Sequence, residues 1–354
     1  MTDVDREKWA KASRSQSVGN DASFDAGSAG DGQPDATAPA TQSGTESRGS
    51  GIAIETRGLV KRFGKMAALN GLDLQVPRGS VYALLGRNGA GKSTLIQILL
   101  GLLEPTRGEV SVLGLDPVKD GTDLRRRVGY IPERLPMYDW MTVDQTIRLV
   151  AGLHSDWDKE IEASLLRRFR IPHDRRIREL SRGNRALLAL VLAMSFNPDL
   201  VLLDECTSGM DPVFRREFDR SVIDTLQESG RTVLFASHQI KELERICDLV
   251  GIVDEGKMLL QMPVEDLRAS VKLLRLAIPH PADGVSPATI GLQGVVDWQQ
   301  SGRELLATVR EFDPLIERRL LPSGVRVLEV IDLDLEEIFV ALLSDHVLHE
   351  EVER

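Results

Sequence analysis

The chain has 354 residues, a formal net charge of −10, 42% hydrophobic residues and two cysteines. Its length accommodates more than one core, since single domains mostly hold about 100–200 residues. The acidic balance argues against nucleic acid as a partner, the two cysteines against a disulfide framework, and the lack of any run near the roughly 18 apolar residues of a membrane span against a pore within this chain.

Residues 1–51 read as a tail. Ser, Gly, Asp, Ala and Thr dominate from Ser13 to Gly51, too little apolar surface to offset the entropy of ordering. No apolar segment of a secretory signal is expected there. From Ile52 the texture changes. Ile52–Glu55 and Gly71–Val76 alternate apolar and polar residues as half-buried strands do, with KRFGK between them. Val81–Leu85 reads as a strand, Leu95–Leu100 as a helix, and GRNGAGKST fills Gly86–Thr94 between them. Strand, glycine-rich loop and helix in that order make the G-x-x-x-x-G-K-[ST] pattern a phosphate site. Backbone N–H groups along Gly86, Arg87, Asn88, Gly89, Ala90 and Gly91 close around phosphates. Lys92 reaches the β- and γ-phosphates, Ser93 offers its hydroxyl to Mg²⁺, and Thr94 completes the loop.

Arg127–Glu133 is RVGYIPE, and Leu135–Val143 is apolar and aromatic without clean periodicity. Such a stretch either docks a partner or belongs to a local core. Thr142–Leu153 and Lys159–Phe169 read as helices joined by a turn at Ser155–Asp158. In LSRGN, Leu180–Asn184, Ser181 is well placed to cap the helix expected over Ala186–Phe196. Leu200–Leu203 reads as a strand ending in Asp204–Glu205. Asp204 suits Mg²⁺ and Glu205 suits a general base that orients water. His238 follows a strand over Thr232–Ser237. From about Ser270 the pattern is strands at Lys272–Ile278, Val295–Trp298, Glu304–Val309 and Val325–Ile331, with helices at Asp313–Leu321 and Leu335–Leu343. Asp334 and Glu337 form a capping box for the last of these.

GRNGAGKST, LSRGN and VLLDE, in this order, resemble the ATP-binding subunit of an ABC transporter, of the exporter-like type with a separate permease. The likeness covers about Ile52 to Leu267. It implies an α/β fold: a P-loop ABC ATPase core, doubly wound, with a helical subdomain, followed by a small α+β C-terminal domain. The expected division is 1–51 tail, 52–268 ATPase and 269–354 accessory domain. The resemblance further implies that Phe63 stacks on adenine and that Glu133 stands at the position of a metal- and water-sensing glutamine. Ser181, Arg182 and Gly183 would face the γ-phosphate of ATP held by a second subunit, Asp211 would lie on the loop touching that subunit, and His238 would contact the γ-phosphate. The implied cofactors are ATP and Mg²⁺. The implied partners are a membrane permease and a second copy of the chain, at the cytoplasmic face of the membrane. Several positions depart from the commonest pattern: Phe63 for tyrosine, Glu133 for glutamine, Arg182 for glycine, Asn184 for glutamine, Ala186–Leu187 for Gln-Arg and Cys206 for proline. Two other classes stay open, a soluble ABC-type ATPase acting on ribosomes or DNA and a nucleotide-dependent regulatory module that does not hydrolyse. The single cassette and acidic balance weigh against the first, and Lys92, Asp204, Glu205 and His238 against the second.

Overall fold

The computed structural model describes residues 51–352, apart from 209, 212–214, 217, 219, 221, 223–224, 226–229, 239, 242 and 280–285. The expectation for residues 1–50 lies outside the described residues. Ile52–Phe63 (β1) and Met66–Pro77 (β2) pair antiparallel, and Arg107–Val112 (β4) pairs with the far side of β1. Leu59, Leu69, Leu72, Leu74 and Val76 bury the inner face of this three-stranded sheet. Phe63 pairs with Met66, so Gly64 and Lys65 form the tight turn and Phe63 stands at a hairpin tip.

The main sheet has six strands in the order β5-β6-β7-β3-β8-β9. These are Val81–Leu85 (β3), Val128–Ile131 (β5), Leu200–Asp204 (β6), Thr232–Ser237 (β7), Leu249–Asp254 (β8) and Lys257–Pro263 (β9). All pairings are parallel except that of β9 with β8. Every residue of β3, β6, β7 and β8 is buried. Strands covered on both faces lose their alternation and become continuous apolar runs. Parallel pairing also puts the C-terminal ends of β3, β6, β7 and β8 at one edge of the sheet, where ligands of such folds gather.

Helix α1 (Lys92–Leu99) leaves the end of β3, and α2 (Gly121–Arg125) precedes β5. Val143–Ala151 (α3), Lys159–Phe169 (α4) and Arg182–Met194 (α5) form the helical insert, α5 packing on α3, α4 and β5. Side chains set all three starts. Thr142 and Gln145 form a capping box, Asp158 accepts from the backbone of Glu160 and Ile161, and Ser181 accepts from that of Asn184. The apolar face of α5, with Ala186, Leu187, Leu190 and Met194, enters the principal core.

After α6 (Val264–Ser270) comes a four-stranded antiparallel sheet, β11-β12-β10-β13. It comprises Lys272–Ala277 (β10), Val295–Ser301 (β11), Glu304–Val309 (β12) and Arg326–Asp332 (β13), with α7 (Ile316–Leu320) before β13. It has its own apolar cluster, including Leu274, Leu276, Leu305 and Val325. The last helix, α8 (Leu335–Val352), begins with reciprocal 2.8 Å bonds between Asp334 and Glu337. Its Leu335, Ile338 and Phe339 pack into the principal core rather than that of the four-stranded sheet. Among the described residues no helix is long and apolar enough to cross a membrane.

Several elements differ from the sequence expectation. Strand β4 was not anticipated because RGEVSV is an edge strand in which only Val112 is buried. Strands β8 and β9 were also missed, although β8 is wholly buried. The helix expected over Asp313–Leu321 is α-helical only from Ile316 to Leu320, and Pro322 falls in the 3-10 turn that follows; its ring cannot continue an α-helix. The first strand pair is much longer than the two short runs visible in the sequence. Helix α5 starts four residues early, at Arg182, directly after its cap.

The attachment of α8 has a measurable consequence. Ile338 is fully buried in the principal core, so Ile338→Ala should lower unfolding stability by about 2–4 kcal/mol. A urea midpoint unchanged from the parent would show that α8 does not support that core.

Candidate active site

A cleft of about 860 Å³ opens at the C-terminal edge of the six-stranded sheet. Its geometry starts with two glycines. A Cβ on Gly86 would stand 2.5 Å from the Val253 carbonyl oxygen, and one on Gly91 would stand 2.5 Å from that of Ala68. Only glycine lets the loop press this closely on β8 and β2. Gly91 also has φ +105, a conformation L side chains rarely adopt. It caps α1 without any side-chain bond, so the first backbone N–H groups of that helix stay free for an anion.

Lys92 is 5% exposed. Its Nζ donates to the carbonyls of Gly86 at 2.7 Å and Arg87 at 3.2 Å, and lies 3.2 Å from Glu205 Oε1. That last contact is an ion pair without hydrogen-bond geometry, because Oε1 is buried and has no hydrogen-bond partner. Glu205 Oε2 sits 2.6 Å from His238 Nδ1. Glu205 follows β6 with φ +47 and donates its N–H to the Ala236 carbonyl on β7 at 2.9 Å. The neighbouring strand thus holds this residue in a left-handed conformation that costs strain. The Ser93 hydroxyl donates to Asp204 Oδ1 at 3.1 Å. Burial raises the Asp204 pKa above its ordinary value, and the charges of Glu205 and Glu133 add to that shift. The bond from Ser93 and the Lys92 ammonium oppose it. The same Asp204 charge, after burial, helps push Tyr130 up to about 12.

The sequence-derived candidates divide into two sets. Phe63, Asn88, Gly89, Gly91, Lys92, Ser93, Thr94, Glu133, Glu205 and His238 line the cleft. Asp204 joins them through Ser93, and Gly86, Arg87 and Ala90 form the loop's backbone, with Ala90 buried. Phe63 is 47% exposed, with the Lys61 ammonium 5.3 Å from its ring centre. Ser181, Arg182, Gly183 and Asp211 do not line this cleft. Sequence reasoning did not single out Met66, Asn70 or Glu255, which do. An apolar run over Leu249–Val253 ending in Asp-Glu-Gly was the available signal for Glu255.

The residues present fit a nucleotide triphosphate with a divalent cation. Helix N–H groups and a lysine face where phosphates would lie, and a serine–aspartate pair offers hard oxygen donors. Mg²⁺ is commonly held by one or two protein oxygens plus phosphates and water. No cluster of three or more metal-ligating side chains occurs among the described residues.

The family model of ABC transporters matches residues 69–208. The daunorubicin/doxorubicin resistance ATP-binding protein DrrA of Streptomyces peucetius is 32% identical over 306 residues, 82% of this chain and 92% of that protein. The probable multidrug ABC transporter ATP-binding protein YbhF of Escherichia coli (strain K12) is 37% identical over 221 residues, 61% of this chain. The chain spans 38% of the length of YbhF. A solved ATP-binding subunit of an ABC transporter superposes with a TM-score of 0.56 at 29% identity, over 61% of this chain and 92% of that one. CbiO1 of Clostridium perfringens, part of the cbiONQ complex, gives 0.55 at 26% identity, over 62% and 91%.

The raised pKa of Asp204 makes its ionised form a cost to the folded state, full above the folded pKa and vanishing as pH falls towards the unfolded value. Asp204→Asn should therefore raise the thermal midpoint of the nucleotide-free protein at neutral pH, by about 2 °C. That gap should narrow as pH drops towards about 4. A lower midpoint for the variant at neutral pH would contradict this assignment.

Proposed function

The chain belongs to the ABC transporter family, and we propose that it is an ATP-hydrolysing subunit that energises a separate membrane permease, as an exporter. The convergence of Lys92, Glu205, His238 and the Ser93–Asp204 pair on one cleft carries this reading. We assign residues 52–268 to the ATPase domain, 269–354 to an accessory domain and 1–51 to a tail.

Lys92 binds the β- and γ-phosphates, and the Phe63 ring stacks on adenine. Ser93, Asp204 and Glu133 would hold Mg²⁺, and the bound ion would neutralise charge developing on the phosphates. Glu205 is the general base. Its Oε2 is held by His238 and its Oε1 lies 3.2 Å from the Lys92 ammonium, so the carboxylate is fixed in place to orient the attacking water. His238 keeps the carboxylate oriented and faces the γ-phosphate. Most of the catalysis is positioning and charge stabilisation, as is usual for phosphoryl transfer.

Two copies work as a head-to-tail pair. Ser181, Arg182 and Gly183 lie outside the cleft of their own chain, at the start of α5 with its N–H groups and positive dipole end, Ser181 and Arg182 exposed and Gly183 buried. They serve the ATP of the partner, and Asp211 lies on the loop that meets that partner. The permease takes the apolar groove of about 380 Å³ between β5 and α5, whose wall includes Leu135, Met137, Leu192 and Phe196. Tyr138 and Trp140, exposed and paired at 5.9 Å, follow the lining residue Met137 in the chain. On this reading the subunit works at the cytoplasmic face of the membrane, where ATP is available.

Glu205→Gln should keep ATP binding and reduce turnover at least about a hundredfold, since a positioned base is worth about 10²–10⁴. Near-parental turnover in that variant would remove the base role. Ser181→Arg should spare ATP binding and abolish hydrolysis. Mixed with Lys92→Ala, it should recover activity above either variant alone, because both lesions then fall in one composite site and the other is intact. A mixture that forms heterodimers yet stays inactive would count against the head-to-tail assignment.

A further inference from the structure

Glu255 and Gly256 are the two residues between the paired ends Asp254 and Lys257 of the β8–β9 hairpin. Their φ values are +44 and +76, the signature of a type I′ turn, which favours Asn-Gly, Asp-Gly or Gly-Gly. Glutamate pays a steric cost at the first position, where asparagine or glycine would not. Turn geometry alone does not account for it.

The turn is clamped into the nucleotide cleft. Gly256 N donates to the Ala90 carbonyl of the phosphate loop at 3.1 Å, and Asn70 N donates to the Gly256 carbonyl at 2.9 Å. A Cβ on Gly256 would stand 2.6 Å from the Ala68 carbonyl oxygen. Glu255 lines the same cleft as Phe63, Met66 and Asn70. It is exposed, and among the described residues it has no hydrogen bond or ion pair.

Sheet order decides which part of a nucleotide meets it. Strand β3 lies between β7 and β8. The base Glu205 ends β6 and His238 follows β7, so the terminal phosphate belongs on the β6–β7 side. The rest of the nucleotide runs the other way, past the end of β8 towards Phe63 at the hairpin tip. Between a stacked base and the phosphate loop lies the sugar, whose vicinal hydroxyls are two donors. A carboxylate is an acceptor only, with two oxygens that match them.

We propose that Glu255 accepts hydrogen bonds from the 2′- and 3′-hydroxyls of the ribose, making it the residue that selects ribonucleotides. The assignment rests on the ATP-binding reading above.

The test is the affinity of the full chain for Mg-ATP and for Mg-2′,3′-dideoxy-ATP. The parent should bind ATP about tenfold more tightly, the scale of hydrogen bonds to a charged acceptor. Glu255→Gly suits the left-handed position and should fold with an unchanged or higher thermal midpoint. It should weaken ATP about tenfold, leave dideoxy-ATP unchanged and bring the ratio near one. Glu255→Gln keeps the reach without the charge and should give an intermediate ratio. A parent ratio of one, or a ratio retained in Glu255→Gly, overturns the proposal. If ATP binding in that experiment is still lost in Lys92→Ala, the nucleotide reading survives and only the role of Glu255 falls. If the parent binds no ATP, both fall.

Discussion

The Gly86 contact with Val253 fixes the phosphate loop to the sheet, because any side chain there would have to enter the β8 backbone. Strand β3 pairs in register with β7 from Val81 to Leu85 on one side and with β8 from Tyr82 to Leu85 on the other. The loop therefore leaves the sheet with groups from neighbouring strands already at fixed heights around it. Asp204 and Glu205 come from β6 and His238 from β7, while the Asp254–Gly256 turn comes from β8. None of these residues is near another in sequence except the first two. Their meeting is a property of parallel pairing, in which all strands end their chemistry at one edge.

That edge gathers like charge. Glu133, Asp204, Glu205 and Glu255 surround or line a space whose one buried cation is Lys92 among the described residues. Lys92 is tied to Glu205 and to two carbonyls of its own loop. Burial pushes the Asp204 pKa up, and the Glu205 and Glu133 charges add to it. A site of this kind is uncomfortable without cations and suited to Mg²⁺ arriving with a polyphosphate. Glu205 Oε1, buried 3.2 Å from the Lys92 ammonium without hydrogen-bond geometry, shows the same crowding at the scale of one atom.

How much of this was legible in the sequence varied with how local the signal was. The phosphate loop, the Asp204–Glu205 strand end and the Asp334–Glu337 box are short patterns whose chemistry lies within a few residues, and each could be read directly. The buried strands β3, β6 and β7 were visible as apolar runs. The β1–β2 pair was visible only in part, since its bulges interrupt alternation. Glu255 was not legible, because its significance comes from the clamp between β2 and the phosphate loop, a contact across 165 or more residues of sequence. The tie of α8 to the principal core was hidden for the same reason. The amphipathic pattern of a helix shows that it has a buried face but not which core receives it.

Ser181 shows how a motif can be satisfied twice. Within one chain its hydroxyl caps α5 by accepting from the Asn184 backbone at 3.2 Å, which suffices to explain a serine there. Arg182 has no such local explanation. It is exposed at the first turn, without a hydrogen bond or ion pair among the described residues, while nearby Arg185 pairs with Asp139 at 3.1 Å. A cation in the first turn opposes the helix dipole, so the chain carries a small local conflict at this point. An anion shared between the helix N-terminus and the guanidinium would resolve it. On the proposed head-to-tail arrangement that anion is the terminal phosphate of the partner's ATP. On that arrangement the arginine that stands for glycine in the motif is compatible with the role of the motif, because a phosphate brought to the helix start would offset the charge that the first turn carries.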